Sequence, residues 1–186
     1  MNRRDAELLN QKTLDYLIKM AQELKIDPLF ASQIVNQHLE IIPEISKKNM
    51  IFLGTDSFSL KPGNIKLDIK GLLIATTEFF VSLSLPENGF NYIQLALLAF
   101  MFSAKISTQK LDHNCSLVVY ALDQSGAYNF YITEEQLKKK LTEIYKSTNC
   151  LPISNLSELI NQLLNMKIIK MKNGKIALNE FVWGKV

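Results

Sequence analysis

The chain has 186 residues, of which 47% are hydrophobic and 21% charged, with five prolines and seven glycines. This composition excludes disordered, collagen-like and linker-dominated chains, and the length is enough for one or two domains with their own cores. The formal charge of +3 is unevenly spread: residues 1–125 carry 12 basic and 13 acidic residues, whereas residues 126–186 carry nine lysines and five acids. Positive charge therefore collects in the C-terminal third.

Cysteine usage and the apolar stretches favour a soluble, cytoplasmic protein. Cys115 and Cys150 are too few for a disulfide framework, and no Cys-x-x-Cys pair predicts a metal site. The longest apolar stretches, 71–85 and 92–106, are shorter than the roughly 20 residues needed to span a bilayer. The N-terminal residues do not resemble a secretory signal, so no membrane association is expected.

The first 61 residues predict two helices and a small hairpin. Leu14, Leu17 and Ala21 belong to one apolar stripe with helical spacing. Asp27 is placed to cap a second helix that begins at Pro28 and extends to about His38. Two short apolar runs within residues 49–61, separated by Gly-Thr-Asp-Ser, predict the hairpin.

A helical pair follows, with helices predicted at Ile65–Leu85 and Phe90–Ile106 around a turn at residues 86–89. Because Leu95–Phe102 is apolar all round, this helix has to be enclosed on every side. Two interpretations are open: a central core helix, or an interface that makes the protein a homodimer or holds a partner.

The next segment predicts a helix, a short strand and a second helix. Asn114 can cap the first helix, whose stripe begins at Cys115, and Gly126 follows its end. The alternation in residues 128–132 predicts the strand. Thr133 and Gln136 form a capping box at the start of the second helix.

The last predicted elements are an amphipathic helix and a hairpin. A second capping box, at Asn155 and Glu158, opens the helix, and Asn173-Gly174 predicts a two-residue turn between two strands. Such a turn pairs successive residues outward from the loop. The expected pairs are Lys172 with Lys175, Met171 with Ile176, Lys170 with Ala177, and Ile169 with Leu178. One face would then carry lysines, while Met171 and Ile176 would be buried with Leu156, Ile160 and Leu163.

The order helix, strand, helix, helix, hairpin over residues 114–180 resembles the winged-helix (winged helix-turn-helix) superfamily. The resemblance covers about a third of the chain and carries no subfamily motif. The expected fold class is mainly α with small β-hairpins. The expected domains are a mainly helical one at 1–110 and a winged-helix-like one at 111–186.

The resemblance implies a DNA-binding protein, such as a transcriptional regulator, whose third helix lies in the major groove of double-stranded DNA. The outward positions on that helix, 155–166, would be Ser157, Glu158, Asn161, Gln162 and Asn165. Asparagine and glutamine can bond adenine, but the helix has no arginine for guanine. The lysines available to phosphates or to another partner include Lys138, Lys139, Lys140, Lys146, Lys167, Lys170, Lys172 and Lys175.

The alternative is a non-catalytic subunit whose winged helix contacts protein within a multiprotein complex. The N-terminal helices and hairpin resemble a second, degraded winged unit, as in tandem winged-helix subunits. The lysines do not decide between the two functions. Opposed Lys172 and Lys175 fit an anionic partner, but they also fit an edge kept soluble by charge. Residues 138–140 fit a solvated helix face beside acidic residues.

An enzyme is not expected, because no nucleotide-binding, zincin or hydrolase motif occurs. His38 and His113 are the only histidines. The cluster Asp112-His113-Asn114-Cys115 is explained by the start of a helix. We therefore predict no catalytic residue, no cofactor and no metal site.

Overall fold

The computed structural model describes residues 3–42, 64–83, 86–104, 112–148 and 154–184. These residues are mainly helical with small antiparallel sheets, which confirms the expected fold class at this level. The helices are α1 (Arg3–Glu23), α2 (Pro28–Gln33), α3 (Ile69–Leu83), α4 (Pro86–Ser103), α5 (His113–Gln124), α6 (Glu134–Thr148) and α7 (Leu156–Asn165). The strands are β1 (Leu39–Ile41), β2 (Ile65–Asp68), β3 (Ile169–Lys172), β4 (Lys175–Leu178) and β5 (Phe181–Gly184). The hairpin predicted within 49–61 lies outside the described residues.

Both predicted N-terminal helices form, and the second begins where the sequence predicted. The backbone N–H of Leu29 donates to Asp27 Oδ1 at 2.9 Å, so Asp27 caps α2 in front of Pro28. The expected helix to His38 is not regular, because Ile34–His38 is a π-helical turn that leads directly into β1.

The predicted helix Ile65–Leu85 is wrong over its first four residues, which form β2. Ile65 and Leu67 are fully buried, whereas Lys66 and Asp68 are only partly buried, which is the period of two of a strand. Asp68 then caps α3 by accepting the N–H of Gly71 at 2.9 Å. The turn predicted at 86–89 is also wrong, since α4 begins at Pro86.

Helix α4 is enclosed by its own chain. It packs against α1, α3, α5 and β2, and Leu95, Leu97 and Phe100 are almost completely buried. The core-helix interpretation therefore describes this helix. The homodimer stays a prediction, which sedimentation at high concentration would check, but the apolar surface of α4 no longer supports it.

The sheet β1–β2–β5 joins strands from the first 68 residues to the last strand of the chain. Both pairings are antiparallel, with Leu39 opposite Leu67 and Leu67 opposite Val182. The expected boundary at residue 110 falls in 105–111, which the structure does not describe. The last strand, from the predicted C-terminal domain, thus pairs with a strand of the predicted N-terminal one.

The helices of the C-terminal third form where expected, but two caps differ. Asp112, not Asn114, caps α5 by accepting the N–H of Asn114 at 3.3 Å. The box of Thr133 and Gln136 is confirmed, with reciprocal bonds of 2.8 and 3.3 Å. The box at Asn155 is not formed. Its amide instead donates to the Glu158 carboxylate at 3.3 Å.

The hairpin β3–β4 has the predicted register in all four pairs. Asn173 and Gly174 have φ of 51° and 70°, as a type I′ turn requires. The predicted strand at 128–132 is reduced to one bridge, in which Ile132 and Ile176 exchange two hydrogen bonds of 2.8 Å. This bridge places β4 between Ile132 and β3.

One core residue was predicted wrongly. Leu156, Ile160, Leu163 and Ile176 are buried, but Met171 is 47% exposed. Strand β3 lies at the edge of the hairpin, so Met171 is covered from one side only, whereas Ile176 in β4 has neighbours on both sides.

Candidate functional site

The outer face of the hairpin carries Lys170, Lys172 and Lys175, which we call the lysine face. Lys170 and Lys172 alternate along β3, and Lys175 lies opposite Lys172. All three are exposed. Lys170 Nζ lies 6.0 Å from the centre of the Tyr131 ring. Within the described part of the chain, no carboxylate pairs with any of these lysines.

The lysines of α6 are engaged differently. Lys138 Nζ lies 2.8 Å from Glu134 Oε1, and Lys140 Nζ lies 3.3 Å from Glu143 Oε2. The hydrogen bond and the charge of Glu134 raise the pKa of Lys138. These contacts favour the solvated-face interpretation for α6 over phosphate binding. Lys139, also predicted as a contact residue, is exposed.

The outward side of α7 is a line of polar side chains. Ser157, Asn161 and Asn165 follow one another at intervals of four residues and all are exposed. We call them the polar stripe. Lys167 follows the helix with a φ of 57°, is exposed, and is held by Asn179, whose amide donates to its carbonyl at 2.7 Å.

Gln162 does not belong to that outward side, contrary to the sequence prediction. It is partly buried, and its Oε1 accepts a hydrogen bond from Cys115 Sγ at 3.2 Å, so it faces α5. The signal was its spacing of three from Leu159, which places it beside the buried stripe.

Four large hydrophobic side chains are exposed in this part of the chain, namely Phe130, Tyr131, Met171 and Phe181, and the sequence did not single them out as exposed. Phe130 is 72% exposed, and Met171 is the exposed apolar side chain of the hairpin. Both were expected in strands, and a short bridge in place of a full strand leaves Phe130 without the cover that a paired neighbour provides. They add apolar area to a region otherwise rich in lysine.

The one cluster of catalytic residue types has a structural explanation. Cys115 is fully buried, and burial raises the pKa of its thiol to about 12, far from a reactive thiolate. His113 packs edge-on against Phe90 with ring centres 5.7 Å apart, and burial lowers its pKa. Among the residues with described positions, no group of three His, Cys, Asp or Glu side chains is arranged to hold a metal ion.

A polar cavity of about 280 Å³ lies beside the first sheet. Its lining is Asn36, Gln37, His38, Leu39, Glu40, Lys66 and Asp68. Lys66 pairs with Glu40 at 3.5 Å, and Asp68 caps α3. The charged groups that line this cavity therefore make contacts with other groups of the same chain. Sequence reasoning missed the cavity because it assigned Lys66 and Asp68 to a helix.

The chain matches no protein-family model, and no curated protein or solved structure shows significant similarity to it. In the described ranges, none of the helices combines the length and apolar character needed to cross a membrane.

Proposed function

We propose that residues 112–184 form a winged-helix domain that binds double-stranded DNA, as a transcriptional regulator does. The bridge between Ile132 and Ile176 carries this proposal. The bridge lies between α5 and α6 in the chain, at the place of the expected strand, and it joins that segment to the hairpin that follows α7. The order up to residue 178 is helix, bridge, helix, helix and two strands, in which the hairpin is the wing; β5, which follows, pairs with β2 instead.

Duplex DNA is the partner that the surface charges favour. Phosphate contacts need basic side chains that are not already paired with carboxylates. The lysine face supplies three such lysines among the described residues. The polar stripe of α7 supplies hydrogen-bonding groups for base edges. In this arrangement α7 enters the major groove and the wing contacts the backbone beside it.

The test is a salt titration of duplex binding by the full chain, followed by fluorescence anisotropy. The double variant K172Q/K175Q should bind all sequences more weakly and lower the slope of log K against log salt by about two. The double variant K138Q/K140Q removes the same charge from the paired lysines of α6 and is the matched control. Its slope should change by less than about one.

Two results would overturn the proposal. One is the absence of duplex binding even at low salt, and the other is an equal loss of slope in both double variants. Thermal unfolding of each variant checks that the fold is intact.

The second candidate is a non-catalytic subunit whose winged helix contacts another protein. Exposed Phe130 and Met171 favour it, because apolar side chains gain more from a protein partner than from phosphates. A photocrosslinking amino acid in place of Phe130 should then give a discrete protein adduct in cells, while the purified chain binds no duplex.

A further inference from the structure

The geometry of α7 points to the base that the domain reads: we propose that Asn161 and Asn165 recognise adenines in the major groove. This inference rests on the proposed DNA binding and states which DNA sequences the domain prefers. The two asparagines are exposed, lie one helical turn apart and belong to the same outward line as Ser157.

The chemistry of the amide matches adenine. An asparagine side chain offers one acceptor and two donors on one plane. Adenine presents N7 as an acceptor and the N6 amino group as a donor on its major-groove edge, so one amide can bond both. Guanine presents two acceptors there, which arginine or lysine reads, and the described outward side of α7 carries neither.

Unlike several other asparagines of the domain, these two have side chains that no intramolecular contact occupies among the described residues. Asn114 donates to Asp112, Asn155 donates to Glu158, and Asn179 donates to the carbonyl of Lys167. The side-chain amides of Asn161 and Asn165 have no hydrogen-bond partner in the described part of the chain. Those three amides stabilise caps and turns, whereas the side chains of Asn161 and Asn165 face solvent.

The spacing sets the sequence that is read. Four residues of α-helix advance about 6 Å along its axis. Successive base pairs advance about 3.4 Å, so Asn161 and Asn165 would reach bases about two steps apart when α7 lies along the groove. The expected site therefore contains two adenines separated by one base pair, flanked by phosphates that the lysine face contacts.

The experiment selects duplexes from a random library with the full chain and then dissects the enriched site. Enrichment of adenines two steps apart is expected. Replacing either adenine with 7-deazaadenine, which lacks the N7 acceptor, should weaken binding roughly 5- to 100-fold. The variant N161A should lose affinity for the selected duplex by a similar factor, keep its affinity for a random duplex, and no longer respond to one of the two deaza substitutions.

The matched control is N129A, which removes an exposed asparagine of the loop before α6 and should bind as the unchanged protein does. Salt-dependent binding without adenine enrichment, or equal effects of N161A and N129A, would overturn the adenine inference and leave the proposed function standing. Absence of duplex binding at low salt would overturn both.

Discussion

The two antiparallel sheets both carry lysine on their outer faces, but they use it differently. In the sheet β1–β2–β5, Lys66 pairs with Glu40 at 3.5 Å and lies 4.5 Å from the centre of the Phe181 ring. In the hairpin β3–β4, the lysine face meets no carboxylate within the described residues. A lysine whose charge is balanced by its own chain supports the fold, whereas three unbalanced lysines on one face mark a surface that an anionic partner can contact.

The inner residues of the first sheet and the edge strand of the second also differ in how deeply their apolar side chains are buried. The inner residues of the first sheet, Ile65, Leu67 and Val182, are almost completely buried. The second sheet has an edge strand in which Met171 is half exposed. The buried residues of the first sheet therefore contribute mainly to stability, whereas the edge strand β3 of the second leaves side chains available for recognition.

The largest expected difference comes from truncating one apolar side chain in each sheet. Leu67→Ala should lower the free energy of unfolding by about 2–5 kcal/mol, because it leaves a cavity in the core. Met171→Ala should cost less than about 1 kcal/mol, since its surroundings are partly water. Urea unfolding of the two variants measures both values. Equal losses would contradict the division between the sheets.

Each sheet also has a glycine required for a different reason. A Cβ on Gly184 would lie 2.7 Å from the Cβ of Ala104, so Gly184→Ala should cost about 1–3 kcal/mol through overpacking of β5 against α4. A Cβ on Gly174 would meet nothing within 4 Å, but its φ is +70°. Gly174→Ala should therefore cost about 1 kcal/mol through backbone strain alone.

Thermal unfolding of both alanine variants gives the comparison, and a Gly184→Ala variant as stable as the unchanged protein would show that β5 does not pack closely on α4. The sign of the Gly174 effect can be checked further with Gly174→Asn, because asparagine tolerates positive φ and should recover part of the loss.

The hairpin was predictable from the sequence because its signals are local. Asn173-Gly174 fixes the turn, the turn fixes the register, and alternation then places the lysines on one face. The same locality made the polar stripe of α7 readable, since a clean apolar stripe defines the opposite side of the helix. Only Gln162 was placed wrongly there, because its position borders the buried stripe.

The first sheet was not predictable, because its pairing joins distant segments. Residues 65–68 continue without a break into the apolar run of α3, and only pairing with β1 and β5 makes them a strand. Strand β5 lies more than 100 residues further along the chain. The cavity around His38 depends on that pairing and could not be inferred from local pattern.

Removing lysines should change stability in opposite directions in the two sheets, by amounts smaller than those above. Lys66→Gln breaks a partly exposed pair and should cost at most about 1 kcal/mol. The variant K172Q/K175Q relieves like charges directly opposite each other and should gain a few tenths of a kcal/mol. Unfolding at low and high salt measures both effects, which should shrink as salt screens the charges. A loss of stability in K172Q/K175Q would mean that these lysines have internal partners.

The smallest expected effect is a dependence on pH that originates beside the first sheet. Burial lowers the pKa of His38 below its ordinary value of 6.5, and the charge of Asp68 offsets part of this decrease. The folded chain then binds a proton at His38 less readily than the unfolded chain does. Stability from this group is complete above pH 6.5 and is lost as the pH falls from there through the pKa of the folded state.

The variant H38Q should therefore lose less stability on acidification through this window than the unchanged protein. Burial lowers the pKa of His113 in the same direction, so H38Q/H113Q should reduce the dependence further. Asp123 acts in the opposite direction, because burial raises its pKa above 3.8, but it is present in every variant and cancels from the comparison. Urea unfolding on both sides of pH 6.5 measures the slopes. Since neither histidine lies in the hairpin, the proposed DNA binding should keep the same salt slope in the folded variants, and a changed slope would mean that the two sheets are coupled.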